Sequence, residues 1–365
     1  MKFGSLLCGG LAALITISAG SAHAESRTLR FQSAYPASST IYMSAETWAK
    51  RVEELSAGRL KIEFMPAGTI VPAFEVLDAV NKNVIDGGHS TVAYWVGKHR
   101  AGTLFGDAAG GPFGMDILDY VGWLYEGGGI DLYRDYYRVE LKTNIEVIPS
   151  VTSANQALGW FARPVESWAD LKGRKCRQTG VTAEVFASSG MSTVNMPGGE
   201  IVPAGERGVI ECAEFVGPAE DMGIGFQAIW KHFYPMSTHN PATIVDFLVN
   251  GDVWTSLSPD LQAIMQAAAS EATLRSHIRK GKLDADALDK MRTEDGVTVH
   301  RTPDDVLQNI LASWDEIAKK ESENNAFFKK VYESQREYAS KVVPAKRLIQ
   351  APYNIGADHY WPEAK

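Results

Sequence analysis

The sequence predicts two α/β lobes followed by a helical C-terminal region. Three observations carry that reading. Strand-like and helix-like patterns alternate from Thr28 onward. The alternation restarts after Pro149. From Ser258 the chain carries almost only helical periodicity.

The elements follow in order. "TLRFQSAY" (28–35) reads as a strand that runs through Pro36 and a Ser/Thr cluster into a helix. In that helix Ile41, Ala45, Trp48, Ala49, Val52 and Leu55 recur at helical spacing, with Gly58 as the expected C-cap. "LKIEFMPAG" alternates as a strand, "PAFEVLDAVNKN" is helical, and "DGGHSTVAYWV" is a third strand. This succession predicts a three-layer lobe with a largely parallel sheet. In the second half, "NQALGWFA", "GRKCRQTG" and "ECAEFVG" read as strands, and "PATIVDFLVN" as one more. Two amphipathic runs follow. One begins near Asp260, and the other at Pro303, a residue suited to a first helical turn.

Composition narrows the function. The chain has 365 residues, 45% hydrophobic and 22% charged, enough for two well-filled lobes. Its net charge of −8 argues against a counterion-releasing nucleic-acid surface. "MKFGSLLCGGLAALITISAGSAHA" has a basic start at Lys2, an apolar run and an Ala-His-Ala end. It reads as a secretory signal cut after Ala24, so the mature protein is expected to be soluble and exported. Losing Lys2 with this leader takes the charge from −8 to −9. The apolar run is short and broken by Gly and Ser, which disfavours a membrane anchor. Cys176 and Cys212 survive processing; a disulfide between them and two buried thiols are both compatible with the sequence.

The run "WLYEGGGIDLYRDYY" (123–137) invites a phosphate-loop reading, but it lacks both the G-x-G-x-x-G spacing after a strand and the Gly-Lys-Ser/Thr signature. Helical residues precede Gly127 and a helix restarts after Gly129. The glycines therefore end one helix and turn into the next, with Asp131 as the expected N-cap and Tyr133, Tyr136 and Tyr137 as packing residues.

Here the sequence resembles a known family. "PFGMDILDYVGWLYEGGGIDLYRDYY" is similar to the PF…GGGIDLY region of the solute-binding proteins of TRAP transporters. Further matches occur in the same order: "AGTIVPAFEVLDAVNKNVIDGGHSTVAYWVGK", "QALGWFARPVESWADLKGRKCR", "GGEIVPAGERGVIECAEFVGPAEDMGIGF" and "FYPMSTHNP". Together they cover nearly all of the mature chain, with the α-keto-acid-binding branch as the best match. The resemblance implies a two-lobed periplasmic-binding-protein-like fold with mixed sheets in each lobe. Its parts would be a signal peptide (1–24), lobe I (25–150), lobe II (151–241), and a segment (242–365) that returns a strand to lobe I and then forms lobe-spanning and C-terminal helices. It also implies capture of a small 2-oxo or 2-hydroxy monocarboxylate in the periplasm and delivery to TRAP permease membrane subunits. The amphipathic stretch 324–350 is similar to the terminal helix that members of this branch exchange between protomers. A homodimer is therefore expected, although Pro344 should interrupt that helix.

Site residues carry over position by position. Arg177 falls where the family clamps the ligand carboxylate, a task suited to a guanidinium's fixed fork of donors. Gln156 matches the family glutamine. Glu214 and Phe215 match a Glu-Trp pair whose carboxylate and backbone carbonyl contribute to a metal and ligand site. Phe215 replaces Trp, which removes an indole donor and keeps an apolar wall. Asn240 stands where the family has a second glutamate, so one negative charge is missing from the expected sodium or calcium site of Gln156, Glu214, Phe215 and Asn240. Tyr94, Trp95 and Phe113 are expected to wall the cleft, with His239 as a ligand donor. Ser38, Ser39 and Thr40 form a helix start facing the same region, where N-capping competes with anion binding.

No hydrolase or zinc-protease motif is present, and the eight histidines show no ligand spacing. Glu211 and Glu214, three apart on a strand, should face opposite sides and so make no glycosidase pair. An exported hydrolase, or a binding protein serving a sensor or chemoreceptor, are the competing readings.

Overall fold

The computed structural model describes residues 26–106, 112–153 and 155–362. The expected signal peptide lies outside these residues. Among the described residues eleven strands form two sheets. They are β1 (Arg27–Ser33), β2 (Leu60–Met65), β3 (Gly87–Ser90), β4 (Ile145–Ser153), β5 (Gly159–Phe161), β6 (Lys175–Arg177), β7 (Ser192–Val194), β8 (Cys212–Ala213), β9 (His232–Tyr234), β10 (Thr243–Asn250) and β11 (Thr298–Val299). The first sheet has the order β2-β1-β3-β10-β4 and the second β11-β9-β5-β8-β6-β7.

In the first sheet only β2, β1 and β3 are parallel; β10 runs antiparallel to both β3 and β4. The expected largely parallel lobe is thus a mixed sheet. The reason is connectivity: β4 leaves for the second lobe and β10 returns from it, so the two lie side by side in opposite directions. All eight residues of β10 are buried, as befits a strand covered on both faces. Trp48, on the helix Thr40–Leu55, stacks on Phe247 with ring centroids 3.8 Å apart. The 35-residue helix Pro259–Thr293 closes this face and also packs on the helix Pro218–Ile224 of the second lobe. Among the described residues no helix is long and apolar enough to cross a membrane.

Several local expectations need correction. The predicted third strand stops at Ser90, and Val92–Trp95 forms a 3₁₀ turn N-capped by Thr91. Tyr94 and Trp95 therefore sit on that turn and not on a strand. At the three glycines, Gly127 caps the helix Ile117–Glu126. Gly128, with φ of 79°, is the N-cap of the helix Gly129–Asp135. Asp131 lies inside that helix. Ser56 takes the C-cap expected of Gly58. The helix Ala326–Ile349 continues through Pro344. Cys176 and Cys212 are directly opposite in β6 and β8 and are joined by a disulfide.

Asp246 is the one acid within β10. It is fully buried and accepts hydrogen bonds from the hydroxyls of Tyr133 and Tyr137, the latter at 3.3 Å. Burial pushes its carboxyl up to about 8, and pushes Asp221 up to about 7. Burial lowers His89 to about 3. A raised acid keeps its proton in the fold while the unfolded chain ionises, so stability is fully present below about 4 and declines up to about 8. The depressed histidine acts oppositely, and only between about 3 and 6.5. Above pH 6.5 the acids act alone, with a slope of ~1.4 kcal/mol per pH unit for each group still holding its proton. Asp246→Asn retains an acceptor for both tyrosines. Denaturant titrations should show a flatter fall in stability between pH 6.5 and 8 than in the parent. An unchanged slope would mean that Asp246 is already ionised in the fold.

Candidate functional site: a buried arginine between two lobes

Parallel pairing of β6 with β8 sets Arg177 opposite Ala213, one residue before Glu214. Arg177 and Glu214 are each only 2% exposed. Arg177 Nη1 donates to Glu214 Oε1 at 2.6 Å and to the Glu214 carbonyl at 2.7 Å, while Nε donates to the Met196 carbonyl at 3.2 Å. Nη2 has no protein acceptor among the described residues, and Arg177 lines a small cavity. The guanidinium lies 5.4 Å from the centroid of the Phe215 ring. Phe215 in turn packs on Gly198, where a Cβ would come within 2.5 Å of the ring. Arg174, three residues earlier, spends its donors on the carbonyls of Asp170, Arg163 and Pro164 and is a structural arginine.

The cavity of about 30 Å³ is walled from both lobes. Tyr35, Thr91 and Tyr94 come from the first, and Gln156, Arg177, Thr179 and Phe215 from the second. Asn240 and Thr243 border it where the chain crosses back. The Gln156 N–H donates to the Asn240 carbonyl at 2.9 Å, which ties the two crossing segments together. Burial raises the Tyr94 phenol to about 12 and holds Tyr35 well above its ordinary value, so both present neutral hydroxyls.

The structure therefore brings Arg177, Glu214, Phe215, Gln156, Asn240 and Tyr94 together. His239 stands just behind them. Its Nε2 is 3.9 Å from Glu214 Oε2 and its Nδ1 pairs with Ser237 Oγ at 2.6 Å. Two expected wall residues lie elsewhere. Trp95 is 3% exposed and packs toward Tyr137 with centroids 6.4 Å apart, because the 3₁₀ turn points consecutive residues in different directions. Phe113 packs on Tyr332 at 4.7 Å and lines a separate open groove with Trp314. Tyr35, Thr91, Thr179 and Thr243 were not foreseen. They are lone polar or aromatic residues near strand ends, with no spacing signal of their own. Glu211 pairs with Arg163 at 3.0 Å, away from Glu214's partner Arg177.

Glu214 Oε2 is buried without a hydrogen-bond partner, an oxygen suited to a cation. Gln156, Phe215 and Asn240 border the adjoining cavity, and their amide and carbonyl oxygens are, with the Glu214 carboxylate, of the kind a hard cation takes. Among the described residues no group of three or more His, Cys, Asp or Glu is arranged to hold a metal. Any cation here would therefore need oxygens from neutral residues and from the ligand itself.

Two lobes meeting at a cavity lined by a buried arginine have the architecture of a periplasmic solute-binding protein. Residues 31–324 match the bacterial extracellular solute-binding protein family 7, and the chain belongs to that family, the solute receptors of TRAP transporters. A monocarboxylate 2-oxoacid-binding periplasmic protein of Nostoc sp. is 31% identical over 324 residues, covering 89% of this chain and 87% of its own. A TRAP solute-binding protein from Bordetella bronchiseptica, a mixed-occupancy dimer with copurified calcium and picolinate, superposes with a TM-score of 0.84. Its identity is 27%, over 92% of this chain and 97% of its own. One from Pseudoalteromonas atlantica with bound sodium and pyruvate gives 0.83 at 28%, over 91% and 99%. An apo open structure from Rhodobacter sphaeroides gives only 0.64 at 26%, over 86% and 98%.

Proposed function

We propose that this protein captures a small monocarboxylate, of the 2-oxo or 2-hydroxy class, between its lobes in the periplasm and presents it to the membrane subunits of a TRAP permease. One observation carries the reading: Arg177 is buried, held by Glu214 and Met196, and keeps a donor edge on an interlobe cavity. A guanidinium fixed in this way meets a carboxylate with little further ordering, and the charge-assisted bond is strong where water is excluded. Tyr35, Tyr94 and Thr179 offer hydroxyls to the remaining oxygens, and Phe215 walls the apolar end.

Gln156, Glu214, the Phe215 carbonyl and Asn240 are the residues that would hold a sodium or calcium ion. When bound, the ion neutralises the ligand's oxygens and orients them. Relatives carry calcium with picolinate and sodium with pyruvate. The enclosed volume is about twice what a single water needs, which favours acids of a few carbons over branched or aromatic ones. The role is receptor rather than hydrolase, so the cargo should be recovered unchanged.

The test must respect the buried ion pair, since removing one partner strands the other and costs ~3–5 kcal/mol. In Arg177→Met with Glu214→Gln both charges go together. Calorimetric titration of refolded, ligand-free protein with pyruvate should show a loss of at least 100-fold, with a cooperative melt retained. The parent should bind pyruvate more tightly than phenylpyruvate. Retained pyruvate affinity in the double variant would sink the assignment of Arg177.

We also propose that the mature chain begins at Glu25 and forms a homodimer through its C-terminal segment. Leu348, Ile349, Tyr353, Ile355, Tyr360 and Trp361 are each at least 69% exposed, and the helix Tyr353–Tyr360 buries no residue. Such an apolar stretch needs a partner surface. Mass spectrometry of the exported protein should give an intact mass starting at Glu25 and a native mass of two chains. Deletion from Gln350 onward should halve the native mass. A monomeric parent would refute the dimer.

A further inference from the structure

The helix Thr40–Leu55 begins at the cleft with no acidic residue in its own first turn. Its free N–H groups still need acceptors. Ser39 Oγ accepts from Ile41 and Tyr42, at 3.1 and 3.3 Å. The Thr40 N–H is met by the other lobe, donating to Glu220 Oε2 at 2.6 Å, and the Thr40 hydroxyl donates to the same oxygen. Glu220 belongs to the helix Pro218–Ile224 and is 1% exposed. Gly223 on that helix lies close to the Ser38 carbonyl, 3.3 Å from where its Cβ would stand, so the two segments abut. Ile41 and Val216, beside this contact, also line the cavity. A carboxylate seated at the positive end of a helix is a favourable arrangement, and here the helix and the carboxylate come from different lobes.

From this geometry we propose that Glu220 is a positioning residue for cargo affinity: it holds the lobes shut by docking on the start of the helix Thr40–Leu55 and does not itself touch the cargo. The inference rests on the carboxylate-receptor reading only for its ligand. When the lobes part, Glu220 and the Thr40 N–H separate and must be resolvated, so the contact belongs to the closed form alone. A contact present only in the closed form raises affinity by shifting the population toward it, and the gain shows as slower release. Another polar bridge between the lobes is more exposed. Arg100 meets Glu184 at 2.7 and 2.9 Å, but the Glu184 side chain is 52% exposed, so this pair contributes less.

The experiment uses the full mature protein, refolded free of ligand, with pyruvate as probe, and compares Glu220→Ala, Glu220→Gln and Thr40→Val with the parent. Pyruvate dissociation should quicken at least 10-fold in Glu220→Ala and by less in Glu220→Gln and Thr40→Val, which each keep part of the contact. Association should stay within about threefold, and the ligand-free melting temperature should be unchanged in Glu220→Gln. A dissociation rate within twofold of the parent in Glu220→Ala, or a loss confined to association, would overturn the proposal. Should the parent bind no short carboxylate, the cargo reading falls and small-angle scattering decides this one. A larger radius of gyration in ligand-free Glu220→Ala supports the closing role, and an unchanged radius overturns it.

Discussion

The buried pair of Arg177 and Glu214 is the constraint around which the second lobe is organised. Two charges removed from water cost several kcal/mol each unless geometry and further hydrogen bonds compensate them. Compensation here is local and complete on one side. Glu214 supplies both its carboxylate and its backbone carbonyl, Met196 supplies a second carbonyl, and the Phe215 face covers the guanidinium. The register of β6 against β8 sets these distances, and the Cys176–Cys212 bridge joins the same two strands at the adjacent pair. The disulfide therefore ties together the strand that carries Arg177 and the strand that leads into its counter-charge Glu214.

That arrangement also sets what Phe215 and Asn240 contribute. Phe215 offers no side-chain donor, but its ring lies against the Arg177 guanidinium and fills the space left by Gly198. Asn240 has a larger consequence for charge. With Arg177 already paired to Glu214, the residues around Glu214 Oε2 carry no net negative charge. A cation there would draw its compensation from the cargo carboxylate, so binding of metal and cargo would be coupled by electrostatics.

Much of this was legible in the sequence, for identifiable reasons. The alternation of strand and helix patterns gave both lobes. Ordered motifs placed Arg177, Gln156, Glu214, Phe215 and Asn240, which do converge. What the sequence hid depends on tertiary geometry. Trp95 follows Tyr94 directly, and only the 3₁₀ turn decides that one faces the cavity and the other the core. Phe113, adjacent to Pro112, joins a groove formed by the C-terminal helices, which no local pattern announces. Thr91, Thr179 and Thr243 meet only because three separate strand ends meet. Glu220 lies beside the motif residue Asp221, which accepts from the Val216 and Gly217 N–H groups within its own lobe. Nothing in the order of the two acids says that one serves its own lobe and the other the opposite one.

The connections between the lobes show how cargo and closure are linked. The chain leaves the first sheet at the end of β4 and returns at the start of β10. These ends are paired, Ser153 with Thr243, with a register shift immediately after Thr243. A bulge of this kind bends a ladder without breaking it. Just beyond it on the second-lobe side, Gln156 and Asn240 are joined by a backbone hydrogen bond, and both border the cavity. Two of the residues that border the cavity therefore sit on the segments that join the lobes. Arg177 reaches the same cavity from a rigid, disulfide-tied pair of strands, and Tyr94 from the opposite lobe. A ligand that spans these three groups couples hinge, clamp and far wall at once. Such a ligand would add its own contacts to those that already favour closure, since none of the three can be fully engaged while the lobes stand apart.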